Sequence, residues 1–220
     1  MKTLQGLSAA ATRQVLVSCR ISDSVSGRGL DGAALTLGYD PGGTSNFVAL
    51  PAHLVRNGDG WFAFHLAPEL LPQPSGASPA FALAADAAGH DSAADVLAVA
   101  KADLALASTK RTLAGHEITM VRISGAPFQI DLTLDPLPVG LAGNVFIDGD
   151  SEQPAAGADV EVVAPPGAST VTGADGSFRL LALPVTAELT IRTTHGGNVR
   201  NHKFRPDYSQ RINRAVFPTA

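Results

Sequence analysis

The histidines and carboxylates of this sequence are the side chains most able to form a metal centre, and their spacing decides whether one is expected. A catalytic zinc ion is held by three side chains, commonly two histidines and a glutamate, with one position left open. No histidine is followed by a glutamate three residues later, and the adjacent His116 and Glu117 would point to opposite faces of a strand. The sequence therefore predicts no bound metal. The histidines are His53, His65, His90, His116, His195 and His202.

Two further features, a cysteine and an acidic segment, could belong to a catalytic or metal-binding site but also have structural interpretations. Cys19 lies in an alternating run, and no histidine near it in the sequence would activate its thiol. The acidic segment 148–152 has the oxygen ligands that calcium prefers, but it lacks the spacing of a calcium-binding loop, and Asp and Gly also favour turns. The sequence predicts no catalytic residue and no cofactor.

Basic residues concentrate near the end of the chain and could bind a partner. Phe204 and Tyr208 are interleaved with them, so this region could dock an acidic protein. Alternatively, it is a solvated pair of strands whose arginine side chains cover apolar surface, and Asp207, which interrupts the cluster, favours this interpretation. Beside Arg192, the candidate binding residues are Arg200, Lys203, Arg205, Arg211 and Arg214.

Trp61 is the chain's single tryptophan and a further candidate binding residue. It follows Asp59-Gly60 and precedes Phe62, so one of these two aromatic side chains faces outward if the segment is a strand. A core position is the first expectation for Trp61. An exposed indole would instead offer a platform for a sugar or a peptide.

Composition and charge narrow the possible partners. Hydrophobic residues make up 45% of the chain, which is enough for folded cores, and the net charge is −4. Nucleic-acid binding needs clustered positive charge and is not expected, and the single Cys cannot form an internal disulfide. No apolar run approaches the roughly 18 residues of a membrane span. The expected partners are other proteins.

Residues 1–13 are expected to be an N-terminal extension. Gln5, Ser8 and Arg13 interrupt the apolar stretch of roughly 7–15 residues that a signal peptide needs. The run 16–19 resembles a lipoprotein processing site that ends in Cys19, but residues 15–21 alternate like a strand, which favours a buried thiol over lipidation. We therefore expect the protein in the cytoplasm or incorporated in a particle.

An internal repeat organises the chain. Asp23 and Asp148 each lie nine residues before the glycine of a Gly-Ala pair. Downstream, residues 59–64 (Asp-Gly-Trp-Phe-Ala-Phe) match residues 175–180 (Asp-Gly-Ser-Phe-Arg-Leu). An Asp-Gly pair before an alternating run indicates a tight turn, because glycine adopts a positive φ without strain.

Each copy of the repeat predicts short strands separated by Gly, Pro and Asp, which is typical of an antiparallel β-sandwich. The alternating segment 128–134 closes the first copy, and the prolines of 135–140 interrupt the ladder after it. The expected fold is all-β, with two tandem Ig-like or transthyretin-like sandwiches at 14–137, with insertions, and at 138–220. The alanine-rich segment 93–106 suits a helix or a strand, and its scattered polar residues favour a strand.

Several of these motifs carry a resemblance to a known family. In the first copy they are Asp23, 26–28, Gly32-Ala33, 59–62 and Gly89-His90, and in the second Asp148, Gln153-Pro154, Gly157-Ala158 and 175–180. The sequence resembles two tandem carboxypeptidase regulatory-like domains, which are small transthyretin-like β-sandwiches. The resemblance covers most of 14–92 and 139–195, and it implies an accessory module without the catalytic zinc domain.

The predicted function is a non-catalytic structural or adaptor protein that presents two β-sandwiches for assembly with other proteins. The proline-containing linker at 135–138 resembles that of tandem accessory proteins of phage-tail-like contractile injection systems, which implies a place in a larger particle. The alternative is an exported or surface-anchored module that binds carbohydrate or peptide, for which Trp61 is the candidate contact. An enzyme is not expected.

Overall fold

The computed structural model describes residues 13–113, 116–147 and 153–219. Strands provide almost all of the regular structure in this part of the chain, with two short 3-10 turns at Pro68–Leu70 and Lys101–Leu104. The chain divides into two compact units, unit 1 (residues 1–134) and unit 2 (residues 135–220). The all-β class and its β-sandwich architecture are confirmed.

Unit 1 is a sandwich of two sheets with an additional hairpin. One sheet has the order β4-β5-β1, and the short strands β10 and β11 both pair with the other edge of β1. The second sheet has the order β3-β2-β6-β7, and β8 pairs with β9 alone. The strands are β1 (Gln14–Asp23), β2 (Ala34–Asp40), β3 (Val48–Ala49), β4 (His53–Gly58), β5 (Trp61–Leu66), β6 (Ala80–Asp86), β7 (Ala93–Ala98), β8 (Leu106–Leu113), β9 (His116–Ile123), β10 (Phe128–Gln129) and β11 (Leu132–Leu134).

The core of unit 1 follows from the two-residue period of its strands. In β5, Phe62, Phe64 and Leu66 point inward and are almost completely buried. The rings of Tyr39, on the opposite sheet, and Phe81 lie 5.0 Å apart between centroids. Each fully buried side chain of this size contributes roughly 1.5–3 kcal/mol, so this alternation holds the two sheets together.

Unit 2 is a smaller sandwich of two sheets. One sheet has the order β15-β12-β18 and the other β14-β13-β16-β17. Its core consists of inward-facing residues of both sheets, among them Leu141, Val160, Phe178 and Ile191. The strands are β12 (Gly140–Phe146), β13 (Asp159–Ala164), β14 (Pro166–Val171), β15 (Ser177–Leu180), β16 (Leu189–His195), β17 (Asn198–Phe204) and β18 (Ile212–Pro218).

The Asp-Gly turns occupy equivalent positions in the two units. Gly60 and Gly176 both have positive φ, at 72° and 73°. The Ile21 amide donates to the Gly60 carbonyl at 2.8 Å, and the Val145 amide donates to the Gly176 carbonyl at 2.9 Å. The matched segments 59–64 and 175–180 therefore begin their strands in the same way.

A second pair of backbone hydrogen bonds shows that one predicted match between the two copies of the repeat is displaced by one residue. The Asp23 amide donates to the carbonyl of Arg28, five residues on, whereas the Ile147 amide donates to that of Gln153, six residues on. Ile147 is thus the equivalent of Asp23, because the turn of unit 2 is one residue longer. Asp148 and the rest of the acidic segment 148–152 lie outside the described residues, as do residues 1–12.

The segment between the predicted strands of the first copy contains elements of its own. Residues 93–98 form strand β7, as favoured from the sequence, and pair with β6. Strands β8 and β9 then form a hairpin that the sequence analysis did not predict. The Gln14 side chain connects this hairpin to β1, because its Oε1 accepts a hydrogen bond from the Ile123 amide at 3.0 Å.

Candidate docking site

The motif residues of the first copy meet around one carboxylate. Asp23 Oδ1 accepts hydrogen bonds from the amides of Val25 (3.0 Å) and Ser26 (2.6 Å) and from the Ser26 hydroxyl (2.8 Å). Its Oδ2 lies 2.9 Å from Nε2 of His90. Burial raises the pKa of this carboxyl, but the hydrogen bonds from Ser26, His90 and Val25 outweigh it and lower the pKa below 3.8.

His90 joins two turns of unit 1 through both ring nitrogens. Nε2 faces Asp23, and Nδ1 lies 3.2 Å from the carbonyl oxygen of Ala88. Both neighbours are hydrogen-bond acceptors, so a protonated imidazole satisfies both, whereas a neutral ring satisfies one. The Ser26 hydroxyl donates to Asp23 and not to the histidine, so the group is not arranged to activate a nucleophile. We interpret this cluster as a structural clamp.

Cys19 lies in the core of unit 1. It is completely buried on β1, opposite Phe62 of β5. Burial, with a smaller contribution from Asp131, raises the pKa of its thiol to about 12, which disfavours the reactive thiolate. This position agrees with the expected buried thiol.

The basic residues near the end of the chain are divided between both sheets of unit 2. Lys203 Nζ lies 3.1 Å and Arg205 Nε 3.4 Å from the carboxylate of Glu188. Hydrogen bonds from these two side chains lower the pKa of Glu188. The structure therefore brings Lys203 and Arg205 together around one acid.

The other candidate basic residues point elsewhere. Arg200 lies three residues before Lys203 on β17, so the two side chains point to opposite faces, and Arg200 Nη1 is 3.5 Å from the Thr219 carbonyl. Arg214 lies on β18 of the other sheet, next to Ala142 of β12, and Arg211 precedes that strand. Basic residues that are close in sequence therefore lie in two separate groups, one on each sheet of unit 2.

Trp61 is on the surface and not in the core. Its side chain is 39% exposed, whereas Phe62 beside it is buried, so the indole is the outward member of the pair. Trp61 pairs with Arg20 of β1. Arg20 forms an ion pair with Asp59, with 3.5 Å between Nη2 and Oδ2. The first expectation for Trp61 is therefore wrong, because the strand begins one residue after the glycine and directs its first side chain to solvent.

Several edge strands in the described part of the chain carry strongly exposed valines. Strands β7, β14, β17 and β18 each end a sheet and each carry a valine that is 53% to 66% exposed. These residues are Val96, Val171, Val199 and Val216. Natural edge strands usually carry charged or otherwise protected positions, so exposed valines at four edges are a distinctive feature.

Strand β18 combines this exposure with a concave surface. Ile212 and Val216 are exposed on either side of Arg214. Beside them, the outer face of the sheet forms a trough of about 470 Å³. Its lining is mostly small side chains and backbone: Ala142, Gly143, Asn144, Ser177, Phe178, Arg214, Ala215 and Val216.

A basic groove at the β8–β9 hairpin was missed by the sequence analysis. Arg13, Arg111 and Arg122 line a groove of about 220 Å³ that has Met120 beside them. Arg111 and Arg122 occupy the same face of the hairpin, because Thr109 and Met120 form the pair between them. Residues more than one hundred positions apart in sequence approach each other here, so no local pattern could have indicated the groove.

The described residues contain neither a clustered metal centre nor a membrane-spanning helix. No group of three or more His, Cys, Asp or Glu side chains is placed to hold a metal ion in residues 13–113, 116–147 and 153–219. Over the same ranges, no helix has the length and apolar character needed to cross a membrane.

Comparisons with known proteins identify no family. No protein-family model matches the chain, and no curated protein matches it. Among solved structures, the Bacillus anthracis TIE protein is similar at a TM-score of 0.35 and 12% identity, over 93% of this chain and 33% of that one. The chain thus spans about a third of that protein's length.

Two pilin structures show a likeness of the same order. A streptococcal ancillary pilin has a TM-score of 0.30 and 14% identity over 96% of this chain and 63% of its own. The shaft pilin SpaA from Lactobacillus rhamnosus GG has a TM-score of 0.30 and 11% identity over 95% and 98%. Similarity at this level gives no basis for assigning a function.

Proposed function

We propose that this chain is a non-catalytic structural or adaptor protein that holds other proteins at the open edges of its β-sandwiches. The observation that carries the proposal is the placement of exposed valines on four edge strands. A partner strand that pairs with such an edge satisfies its free backbone groups and covers its aliphatic side chains.

Strand β18 is the proposed docking edge. It carries two exposed aliphatic residues, Ile212 and Val216, and Arg214 is the one charged residue on it. By comparison, β17 carries Val199 together with Arg200 and Lys203, and charges of this kind protect an edge from pairing. The trough beside β18 leaves room for side chains of the added partner.

The edge assignment is tested with a matched pair of variants, Val216→Lys on β18 and Val199→Lys on β17. Both residues are more than half exposed, so neither change should alter the free energy of unfolding by more than about 0.5 kcal/mol. We expect V216K to abolish incorporation into the native complex and V199K to retain it, as measured by sedimentation of tagged chains. Equal incorporation of both variants would contradict docking at β18.

The assembly role itself is tested by sedimentation of the native protein from its own cells, followed by mass spectrometry of the chains that sediment with it. Recovery in a heavy fraction with defined neighbours would support the proposal. Recovery only as a free monomer would reject it.

The finer proposal is a component of a phage-tail-like contractile injection particle, located in the cytoplasm or in that particle. It is supported by the linker at 135–138 and by the tandem β-sandwich organisation. Sheath or tube proteins among the co-sedimenting chains are the expected result. A heavy fraction that contains other proteins would keep the adaptor role and remove this finer assignment.

A second candidate function follows from the exposure of Trp61. An outward indole on the face of a sheet is suited to stack on a sugar ring or an apolar peptide side chain, as an exported binding module would require. Quenching of Trp61 fluorescence by a member of a glycan panel would support this function. No response across the panel would count against it.

A further inference from the structure

Two histidines face each other on neighbouring strands of unit 1. His53, at the start of β4, is the direct partner of His65 on β5. Directly opposed residues of an antiparallel pair have Cβ atoms roughly 4.5–5.5 Å apart and share one face of the sheet. The two side chains therefore leave the backbone side by side although their positions differ by twelve in sequence.

The adjacent pair of residues fixes the direction of both rings. Leu54 pairs with Phe64, and both belong to the core of unit 1. Since side chains alternate between faces, His53 and His65 lie on the outer face of the sheet. His53 is exposed, and His65 is half-buried.

Both rings are chemically available. Neither forms a hydrogen bond or an ion pair with another residue in the described part of the chain. The neighbours on the same face are aliphatic: Val55 pairs with Ala63, and Val15 of β1 pairs with His65. No carboxylate or lysine in these strand pairs competes for the imidazole nitrogens.

We propose that His53 and His65 form a two-imidazole site for a divalent late transition-metal ion, with water completing the coordination. Imidazole suits Cu²⁺, Ni²⁺ and Zn²⁺, and the Irving–Williams order makes Cu²⁺ the most tightly bound of the three. The site has two protein ligands, which is compatible with the lack of a three-residue group in the described chain.

The backbone around the two histidines is stiffened. Pro51 lies two residues before His53, and Pro68 begins a 3-10 turn three residues after His65. The ladder between β4 and β5 pairs in regular register at this end, and its irregularity lies between Arg56 and Gly58. A chelating pair on such a frame loses less conformational entropy when it binds the ion.

Trp61 provides the readout. It lies four residues before His65 on β5, on the same face, which places its Cα roughly 13 Å from that of His65. Since it is the chain's single tryptophan, quenching of its fluorescence by Cu²⁺ reports on this face of unit 1.

The experiment is a titration of CuCl₂ into the full chain without a histidine tag, followed by Trp61 fluorescence and by calorimetry. We expect saturable binding of one ion per chain. His53→Asn and His65→Asn should each weaken binding at least tenfold, since each removes one of two ligands. The control His195→Asn, at the end of β16 in unit 2, should bind as the unsubstituted chain does.

Three results would overturn the site. Either single variant could retain the full affinity, the His195→Asn control could lose as much affinity as the other two, or the unsubstituted chain could show no saturable binding. Far-UV circular dichroism confirms that the variants are folded, which is expected because both side chains lie on the outer face. The same titration with NiCl₂ and ZnCl₂ should give weaker binding than Cu²⁺.

Discussion

The two tyrosines of the chain differ in what their hydroxyl groups meet. Tyr39 is completely buried, and its hydroxyl has no hydrogen-bond partner among the described residues. Burial, with a smaller effect of Asp40, raises its pKa to about 12. The Tyr208 hydroxyl accepts from the Thr186 amide at 2.7 Å and donates to the Thr186 carbonyl at 2.8 Å.

This difference predicts opposite effects of the same substitution. Tyr39→Phe should leave the free energy of unfolding unchanged or raise it by about 1 kcal/mol, because it removes a buried polar group without a partner. Tyr208→Phe should lower it by about 1–2 kcal/mol, because it leaves the Thr186 backbone groups unpaired. Urea unfolding monitored by circular dichroism measures both. Destabilisation by Tyr39→Phe similar to that by Tyr208→Phe would contradict the assignment.

The Asp23 clamp predicts a dependence of stability on pH. The fold lowers the pKa of Asp23 below its unfolded value of 3.8, so its stabilising effect is present above that value and is lost as the pH falls through the folded pKa. Asp23→Asn should therefore destabilise unit 1 at pH 7 by about 1.5–3 kcal/mol, the contribution of hydrogen bonds to a charged group.

The same variant should differ less from the unsubstituted chain in acid. Once the pH falls below the folded pKa of Asp23, the two free energies of unfolding should converge, since the unsubstituted Asp23 is then protonated as well. Urea unfolding at pH 7 and in acid tests this. An equal difference at both pH values would show that the clamp does not depend on the charge of Asp23.

At the scale of the elements, strands with a clear alternation and a turn motif were predictable from the sequence, and the edge strand β14 was not. The segment 177–180 after Asp175-Gly176 is a strand with the expected bounds. Strand β14 contains Pro166 and Gly167, which read as a loop because they disfavour strands, yet β13 pairs with it. Its stability comes from that neighbour and not from its own residues.

The candidate sites were also less predictable, because they too depend on how strands pair with their neighbours. Trp61 and the basic residues were found by type, but which face each occupies depends on strand register, which a one-residue difference reverses. The His53–His65 pair and the arginine groove require knowledge of which strands are neighbours. Sequence spacing alone contains no such information for residues on different strands.

The glycine of the Asp-Gly turn gives a prediction at this scale. A Cβ at Gly60 would collide with the Ile21 carbonyl oxygen and with Gly29, and the residue has a φ of 72°. Gly27 has a similar φ of 68° but open space around it. Gly60→Ala should therefore cost more than about 3 kcal/mol, whereas Gly27→Ala should cost about 1–2 kcal/mol from backbone strain alone.

Thermal or urea unfolding of the two variants separates the steric effect from the backbone effect. Equal destabilisation by Gly60→Ala and Gly27→Ala would indicate that close packing of the turn against β1 contributes nothing. Because a Cβ at Gly176 would also collide with the Val145 carbonyl oxygen, Gly176→Ala should likewise cost more than Gly27→Ala, in unit 2.

At the scale of the whole molecule, each unit has its own hydrophobic core. The predicted domains at 14–137 and 138–220 remain a proposal about independent folding, and the division of contacts between residues 134 and 135 supports it. We expect a chain of residues 135–220 to fold alone. Its amide proton and nitrogen spectrum should show the dispersion of a folded β protein, and a collapsed, poorly dispersed spectrum would contradict the proposal.

The first and last strands of each unit are parallel neighbours, and this has a consequence for how the protein carries tension. In unit 2, β12 pairs with β18 over seven residue pairs, and in unit 1, β1 pairs with β10 and β11. A pull on the two ends of such a unit acts along the strands in opposite directions and loads these hydrogen bonds in shear. They must then break together and not one after another, so each sandwich resists extension from its ends as a single mechanical element.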